Sequence, residues 1–234
     1  MERVTGIGGF SWALASAVVP CTAADRATRE AYDAVALDYA RLLPDVTTEA
    51  PLDRAVLAAF VEMVKQSGDG LVAEVGCGSG RVTAHLADAA LRIVGLDLSP
   101  GMATVARSAR PDLAFAVAHA GALPIRSGAL GGLVAWYSLI HLPTDLLPVV
   151  FTEFARVTRP GAPVVVAFHS GGGERVDRPI SYGHPIPLTY CRHRVEDVAT
   201  ALAAADFAPH ATVRREPSLP HETTPQTFLL AQRR

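Results

Sequence analysis

The chain has 234 residues, of which 50% are hydrophobic and 19% are charged, and its formal net charge is −2. This length accommodates one α/β domain with a well-buried sheet and is too short for two full-sized domains. A near-neutral chain gives no electrostatic reason to expect a nucleic-acid partner. Lys65 is the only lysine among 21 basic residues, and alanine is abundant, which indicates a GC-rich bacterial source.

Three cysteines, Cys21, Cys77 and Cys191, have no metal-ligand spacing and cannot all pair, so we predict a reducing, cytoplasmic location and no metal site. The apolar segment Gly6–Val19 superficially resembles a signal peptide. The mixed charges ahead of it favour an extension that is flexible or covers a partner. No run approaches the ~18 apolar residues of a transmembrane helix, so no membrane partner is expected.

Strand-like and helix-like segments alternate along the chain, which predicts a mostly parallel sheet with crossover helices. Apolar residues recur at helical spacing over 52–64 and 195–205 and are expected in the core. The predicted strands are Leu71–Val75, Arg92–Leu96, Leu113–Val117, Leu133–Tyr137, Val164–Phe168, Ala211–Arg215 and Thr227–Gln232.

Two segments interrupt this alternation. Residues 1–50 precede every strand and are predicted to form an N-terminal extension with a cap helix, ahead of a domain at 51–234. The Gly- and Pro-rich stretch Ser170–Pro187 is predicted to be a long loop. Loops of this length in a compact domain are usually lids, binding loops or disordered segments.

The most informative motif is Glu74-Val-Gly-Cys-Gly-Ser-Gly80, which joins the first strand directly to a helix. Glycines at such a turn allow the backbone to approach a ligand closely. The third glycine comes one residue earlier than in the dinucleotide-binding G-x-G-x-x-G pattern, and Arg81 occupies the expected position. The spacing therefore disfavours a nicotinamide-dependent oxidoreductase.

With Asp97 at the end of the second strand, the glycine loop resembles that of the class I S-adenosylmethionine-dependent methyltransferases, over roughly residues 32–234. The resemblance implies a Rossmann-like, seven-stranded, mostly parallel sheet with helices on both faces. It also implies S-adenosylmethionine as cofactor, with its ribose on Asp97, although that side chain could instead cap the helix that Pro100 opens. The cofactor-binding residues it implies are Tyr32, Tyr39, Glu74, Gly76, Cys77, Gly78, Gly80, Asp97, Leu98, Met102, His119, Ala120 and Tyr137.

Two positions depart from the family pattern. His119 replaces the acidic residue that normally accepts from the adenine amino group, and a neutral imidazole has only one acceptor. Gly131 replaces an Asp that usually opens the fourth strand, and a glycine pair there loosens the strand. Tyr32 and Tyr39 share one face of the cap helix, where they either cover the methionine end of the cofactor or pack into the core.

The residues after the fourth and fifth strands are expected at the reacting end. His141 is the candidate general base, since its ordinary pKa suits proton removal near neutral pH; the alternative is a structural histidine that holds its loop. His169, Tyr182, His184 and Tyr190 are the candidate acceptor-binding residues. Cys77 has no partner base and is not expected to be a nucleophile.

The sequence therefore predicts an enzyme that methylates a small molecule, plausibly a specialised metabolite, by direct displacement from S-adenosylmethionine. The alternative is a methyltransferase-like protein that binds the cofactor but catalyses another reaction, such as a cyclisation, or acts as a binding module. A homodimer is possible, and neither the acceptor nor the methylated atom follows from the sequence.

Overall fold

The computed structural model describes residues 22–68 and 70–234. The apolar segment Gly6–Val19 and Cys21 lie outside the described residues. The helices are α1 (Ala23–Leu42), α2 (Pro51–Gln66), α3 (Arg81–Asp88), α4 (Pro100–Ala109), α5 (Leu147–Val157) and α6 (Val195–Ala204). The strands are β1 (Leu71–Val75), β2 (Arg92–Asp97), β3 (Ala114–Val117), β4 (Leu130–Trp136), β5 (Pro163–His169), β6 (Arg175–Arg178), β7 (Leu188–Cys191), β8 (Phe207–Arg215) and β9 (Gln226–Arg233).

A seven-stranded sheet with the order β3-β2-β1-β4-β5-β9-β8 forms the centre of the fold. The strands from β3 to β5 in this order are parallel, whereas β9 runs antiparallel to both β5 and β8. One apolar layer packs α2 and α3 on one face, and a second packs α5 and α6 on the other. The fold class predicted from the sequence is confirmed.

The fourth strand begins at Leu130, three residues before the predicted start, and runs through Gly131 and Gly132. A Cβ added at Gly132 would lie 2.9 Å from Val64 Cγ2 on α2. Gly132 therefore lets β4 pack closely against α2, while the pairing of β1 with β4 skips Gly131, so the register is irregular at the strand entry.

The stretch predicted as one long loop, Ser170–Pro187, contains strand β6, which pairs antiparallel with β7. This two-stranded sheet is separate from the central one. It was missed because β6 is four residues long and carries Arg175, Asp177 and Arg178, so no apolar alternation marks it.

Helix α1 lies over the carboxyl end of the sheet and is held there by polar contacts. Its first turn has a capping box, in which Thr22 and Asp25 each bond to the other's backbone N–H. Further along, Asp33 Oδ1 accepts hydrogen bonds from Gly101 N (2.7 Å) and Ser99 Oγ (2.5 Å) at the start of α4. None of the helices in the described part of the chain is long and apolar enough to span a bilayer.

Candidate active site

A cavity of about 550 Å³ opens at the carboxyl ends of the parallel strands, beneath α1 and the β6–β7 hairpin. In doubly wound sheets this edge, beside the first strand, is where ligands bind. Most of the residues singled out from the sequence line it: Tyr32, Tyr39, Gly76, Gly78, Asp97, Leu98, Met102, His119, Ala120, Tyr137, His141, His169, Tyr182 and Tyr190.

The glycine loop brings the backbone to the cavity wall. Gly76 and Gly78 have φ values of +75° and +54°, which side-chain-bearing residues rarely adopt. A Cβ at Gly76 would lie 2.1 Å from Ser138 Cβ, so the ends of β1 and β4 approach as closely as they do only because this position is glycine. At Gly78 an added Cβ would lie 3.5 Å from Tyr39 Cε1, so the backbone of the loop lies close to this ring of α1.

Asp97 ends β2 beside this loop and is 9% exposed. Its Oδ2 accepts from Gly78 N (2.7 Å) and its Oδ1 from Ser99 N (2.8 Å), so each oxygen retains acceptor capacity toward the cavity. Burial raises the pKa of Asp97 to about 6, against the effect of these backbone donors. The side chain that caps α4 is that of Ser99, which accepts from Met102 N at 3.0 Å.

Arg81, the residue after the third glycine, is a cavity residue that the sequence analysis did not assign to the site. Its Nη2 pairs with Glu49 Oε1 at 2.5 Å, and its side chain is 9% exposed. Its Nη1 is buried and has no hydrogen-bond partner among the described residues. The sequence did contain a signal for this residue: Arg81 begins α3 directly after the glycine loop, so its side chain could be expected near whatever the loop binds.

His119 faces a carboxylate from α1. Its Nδ1 accepts from Gly121 N at 3.0 Å, so in the neutral ring the proton is on Nε2, which lies 3.6 Å from Asp25 Oδ1. Asp25 is 7% exposed and lines the cavity. A carboxylate from the cap helix thus lies beside position 119, a contact between residues 94 positions apart that no local pattern reveals.

We expect the change His119→Asp to weaken binding of S-adenosylhomocysteine by about tenfold, because it sets two carboxylates against each other and pushes α1 away from the cavity. Calorimetric titration of the parent and the variant measures this. Adding Asp25→Asn to the variant removes one charge and should restore most of the affinity. Tighter binding by His119→Asp alone would show that position 119 meets the adenine directly, as in the family pattern.

At the other end of the cavity, Tyr32 from α1 contacts His141, which follows β4. The His141 Nδ1 lies 2.8 Å from the carbonyl oxygen of Thr189, which only accepts, so Nδ1 carries the proton. The unprotonated Nε2 then accepts from the Tyr32 hydroxyl at 2.7 Å. Burial lowers the pKa of His141 to about 4 and raises that of Tyr32, so both groups are neutral at neutral pH. The ordinary pKa on which the choice of His141 as a base rested is therefore wrong for the folded protein, because burial makes the ring a weaker base.

Aromatic rings surround this pair. The Tyr190 ring centroid lies 4.9 Å from that of His141, and the Tyr190 ring stacks on His169. The Tyr137 ring centroid lies 5.5 Å from that of His169. Burial lowers the pKa of His169 to about 4, with smaller contributions from His141, Arg178 and Arg192. This end of the cavity is therefore lined by neutral rings.

Four of the predicted site residues lie outside the cavity lining. Glu74 is buried and accepts a short hydrogen bond from Thr83, and burial raises its pKa to about 8. Cys77 and Gly80 pack against Phe115. His184 bonds to Asp38 of α1 at 2.9 Å, so it connects the hairpin to the cap helix and does not line the pocket.

The comparisons with known proteins agree with this geometry. Residues 72–161 match the family model described as a methyltransferase domain. A demethylmenaquinone methyltransferase of Beutenbergia cavernae is 36% identical over 96 residues, which is 41% of this chain and 39% of the relative. The chain thus matches about two fifths of the length of that curated relative.

Two solved structures show how far the fold extends. The magnesium protoporphyrin IX methyltransferase of Synechocystis PCC 6803 with bound S-adenosylmethionine has a TM-score of 0.70 at 16% identity, covering 93% of this chain and 100% of that one. The [4+2]-cyclase SpnF has a TM-score of 0.67 at 17% identity, covering 93% and 99%. Proteins with this fold therefore catalyse different reactions, so the function of this chain has to be inferred from its site and not from its fold.

The fold is that of the class I methyltransferases. Residues 72–161 match the methyltransferase domain model and the curated relatives are methyltransferases, in agreement with the resemblance that the glycine loop and Asp97 carry. S-adenosylmethionine is the cofactor of this family. The residues present suit it: Asp97 has free acceptor capacity for a ribose diol, and Arg81 Nη1 is a buried donor for a carboxylate.

Proposed function

We propose that this chain transfers a methyl group from S-adenosylmethionine to a hydroxyl group of a small-molecule acceptor. The observation that carries the proposal is that one cavity joins two different ends. Asp97, Arg81 and the glycine loop form a polar end. Tyr32, His141 and Tyr190 form an aromatic end with a neutral imidazole nitrogen that accepts protons.

The polar end positions the cofactor, whose sulfonium supplies an already activated methyl group. In this proposal Asp97 accepts hydrogen bonds from the ribose hydroxyls, and the Arg81 guanidinium binds the carboxylate of the methionine moiety. Leu98 and Met102 border the adenine, with His119 and Asp25 at its edge. Tyr39 and the backbone of Gly76 and Gly78 line the path of the methionine chain.

The aromatic end holds the acceptor and removes one proton. The acceptor hydroxyl transfers its proton to the Tyr32 oxygen as the Tyr32 hydroxyl proton moves to His141 Nε2, which it already contacts. The Thr189 carbonyl fixes the tautomer that makes this possible. The covering of α1 and the hairpin excludes water, and holding the two reactants together supplies most of the rate, because proximity alone contributes ~7–11 kcal/mol.

The proposal requires that the protein bind S-adenosylhomocysteine with Asp97 ionised. Since the pKa of Asp97 is raised to about 6, the carboxylate is charged above that pH and protonated below it. Binding should therefore be about tenfold weaker at about pH 5 than at about pH 7, because a protonated carboxyl loses acceptor capacity. Calorimetry at both pH values measures this dependence.

The variant Asp97→Ala should bind about 10- to 150-fold more weakly at neutral pH and lose the pH dependence. Asp88→Ala removes an exposed carboxylate outside the cavity and is the matched control. Parent-like binding by Asp97→Ala would refute the ribose assignment. Absence of S-adenosylhomocysteine binding by the parent would refute the function as a whole.

A further inference from the structure

Two arginines lie at the mouth of the aromatic end, on the hairpin and just beyond it. Arg178 ends β6 and Arg192 follows β7, and both line the cavity. Each donates toward the same neutral oxygen, Thr223 Oγ1, at 3.4 Å and 3.2 Å respectively. Two guanidinium groups therefore converge on one hydroxyl, an arrangement whose like-charge repulsion a bound anion would relieve.

Only one of these two arginines has a carboxylate partner in the part of the chain that the structure describes. Among the described residues, no carboxylate lies within salt-bridge distance of Arg178, and Glu174 reaches Arg192 through one contact of 3.4 Å from an exposed position. Glu222, which also lines the cavity, pairs with Arg215 on its other side. Asp177 accepts a hydrogen bond from Thr189.

Tyr190 connects the arginine pair to the reacting end. Arg178 Cζ lies 5.3 Å from the Tyr190 ring centroid, and the His141 ring lies 4.9 Å from the same centroid. The ring holds the guanidinium by a cation–π contact at the cavity mouth. Arg178 and His141 thus both lie against the Tyr190 ring, which connects the arginine pair to the candidate base.

Resting on the proposed function, we infer that the acceptor carries an oxyanion, a carboxylate or a phosphate, which Arg178 and Arg192 bind while its hydroxyl faces Tyr32 and His141. Guanidinium groups bind both anions through paired, charge-assisted hydrogen bonds. Because His169 is neutral at neutral pH, the positive charge in this part of the cavity comes from the two arginines. The arginine pair would then select anionic acceptors and fix their orientation.

Calorimetry on the full chain saturated with S-adenosylhomocysteine tests the inference with three one-ring probes. They are 4-hydroxybenzoate, 4-hydroxyphenyl phosphate and the neutral 4-hydroxybenzamide. At least one anionic probe should bind about tenfold more tightly than the amide. Which of the two anions binds shows whether the site prefers a carboxylate or a phosphate. Added salt should weaken binding of that anionic probe and leave the amide unaffected.

The variants Arg178→Gln and Arg192→Gln should each remove most of the anionic preference while leaving the affinity for S-adenosylhomocysteine unchanged. Arg175→Gln is the matched control, because Arg175 is exposed on the same strand and does not line the cavity. The inference would be overturned if anionic and neutral probes bound equally, or if neither anion bound. It would also be overturned if Arg175→Gln lost as much of the anionic preference as the other two variants. Failure to bind S-adenosylhomocysteine would instead refute the proposed function.

Discussion

Replacing His141 by Asn or by Gln should lower kcat by about 10²- to 10⁴-fold, with the affinity for S-adenosylhomocysteine close to that of the parent. Each variant can preserve one of the two hydrogen bonds that the His141 ring makes. Asn can keep a donor where Nδ1 meets the Thr189 carbonyl, whereas Gln can keep an acceptor where Nε2 meets Tyr32. Neither amide can take up a proton near neutral pH, so a base predicts a large loss in both.

The measurement is transfer of a tritiated methyl group to hydroxylated one-ring acids, using an acceptor that the parent methylates. His210→Gln, an exposed position on β8, is the control. With S-adenosylmethionine kept saturating at each pH, kcat of the parent should stay constant down to about pH 5, because the pKa of His141 is lowered to about 4 and the ring remains neutral above it. A structural histidine would predict that the Asn variant, which keeps the Thr189 contact, retains nearly full activity.

The second large effect concerns stability and a buried group of three charges beside the cavity. Arg215 bonds to Asp53 at 2.6 Å and to Glu222 at 2.5 Å, and the two carboxylates are 0% and 6% exposed. Removing the arginine leaves two carboxylates without their partner. The change Arg215→Met should therefore reduce the free energy of unfolding by ~3–5 kcal/mol, as measured by urea denaturation at neutral pH.

The destabilisation should depend on pH in a defined direction. Burial acts to raise the pKa of Glu222, but hydrogen bonds from Arg215 and from Ser218 and Leu219 outweigh it, and the pKa falls to about 2. This carboxylate stabilises the parent above its unfolded pKa of about 4.5, and the contribution is lost as the pH falls toward 2. The difference between parent and Arg215→Met should shrink over that range.

A triple variant that also carries Asp53→Asn and Glu222→Gln separates charge from packing. If uncompensated charge is the cause, it should recover much of the lost stability. A loss that persists in the triple variant, or that is the same at neutral and acidic pH, would assign the effect to the packing of the Arg215 side chain.

The sequence predicted the parts of the molecule that depend on local patterns. The strands of the central sheet and the turn at Gly76 and Gly78 follow from apolar runs and glycine spacing, and Asp97 follows from its place at a strand end. The position of a side chain at the edge of a parallel sheet is fixed by its own strand. These residues therefore reached the cavity as expected.

The rest depends on contacts between distant segments. Asp25 meets His119, and His184 meets Asp38, across pairs of elements whose docking no periodicity encodes. The hairpin strand β6 is polar, so it looked like loop. Glu74 belongs to the motif that identifies the family, yet it is bonded to Thr83 inside the fold. A motif residue can thus support the site without facing the ligand.

Helix α1 contributes Asp25 and Tyr32 to opposite ends of the cavity, is fixed to α4 through Asp33, and meets the hairpin through Asp38. One helix therefore covers both ends of the cavity. If α1 moves outward, His119 loses its contact with Asp25 and His141 loses its contact with Tyr32 in the same movement. Under the proposed function, release of S-adenosylhomocysteine and entry of the next acceptor would then depend on the same movement, and a change that slows one would slow the other.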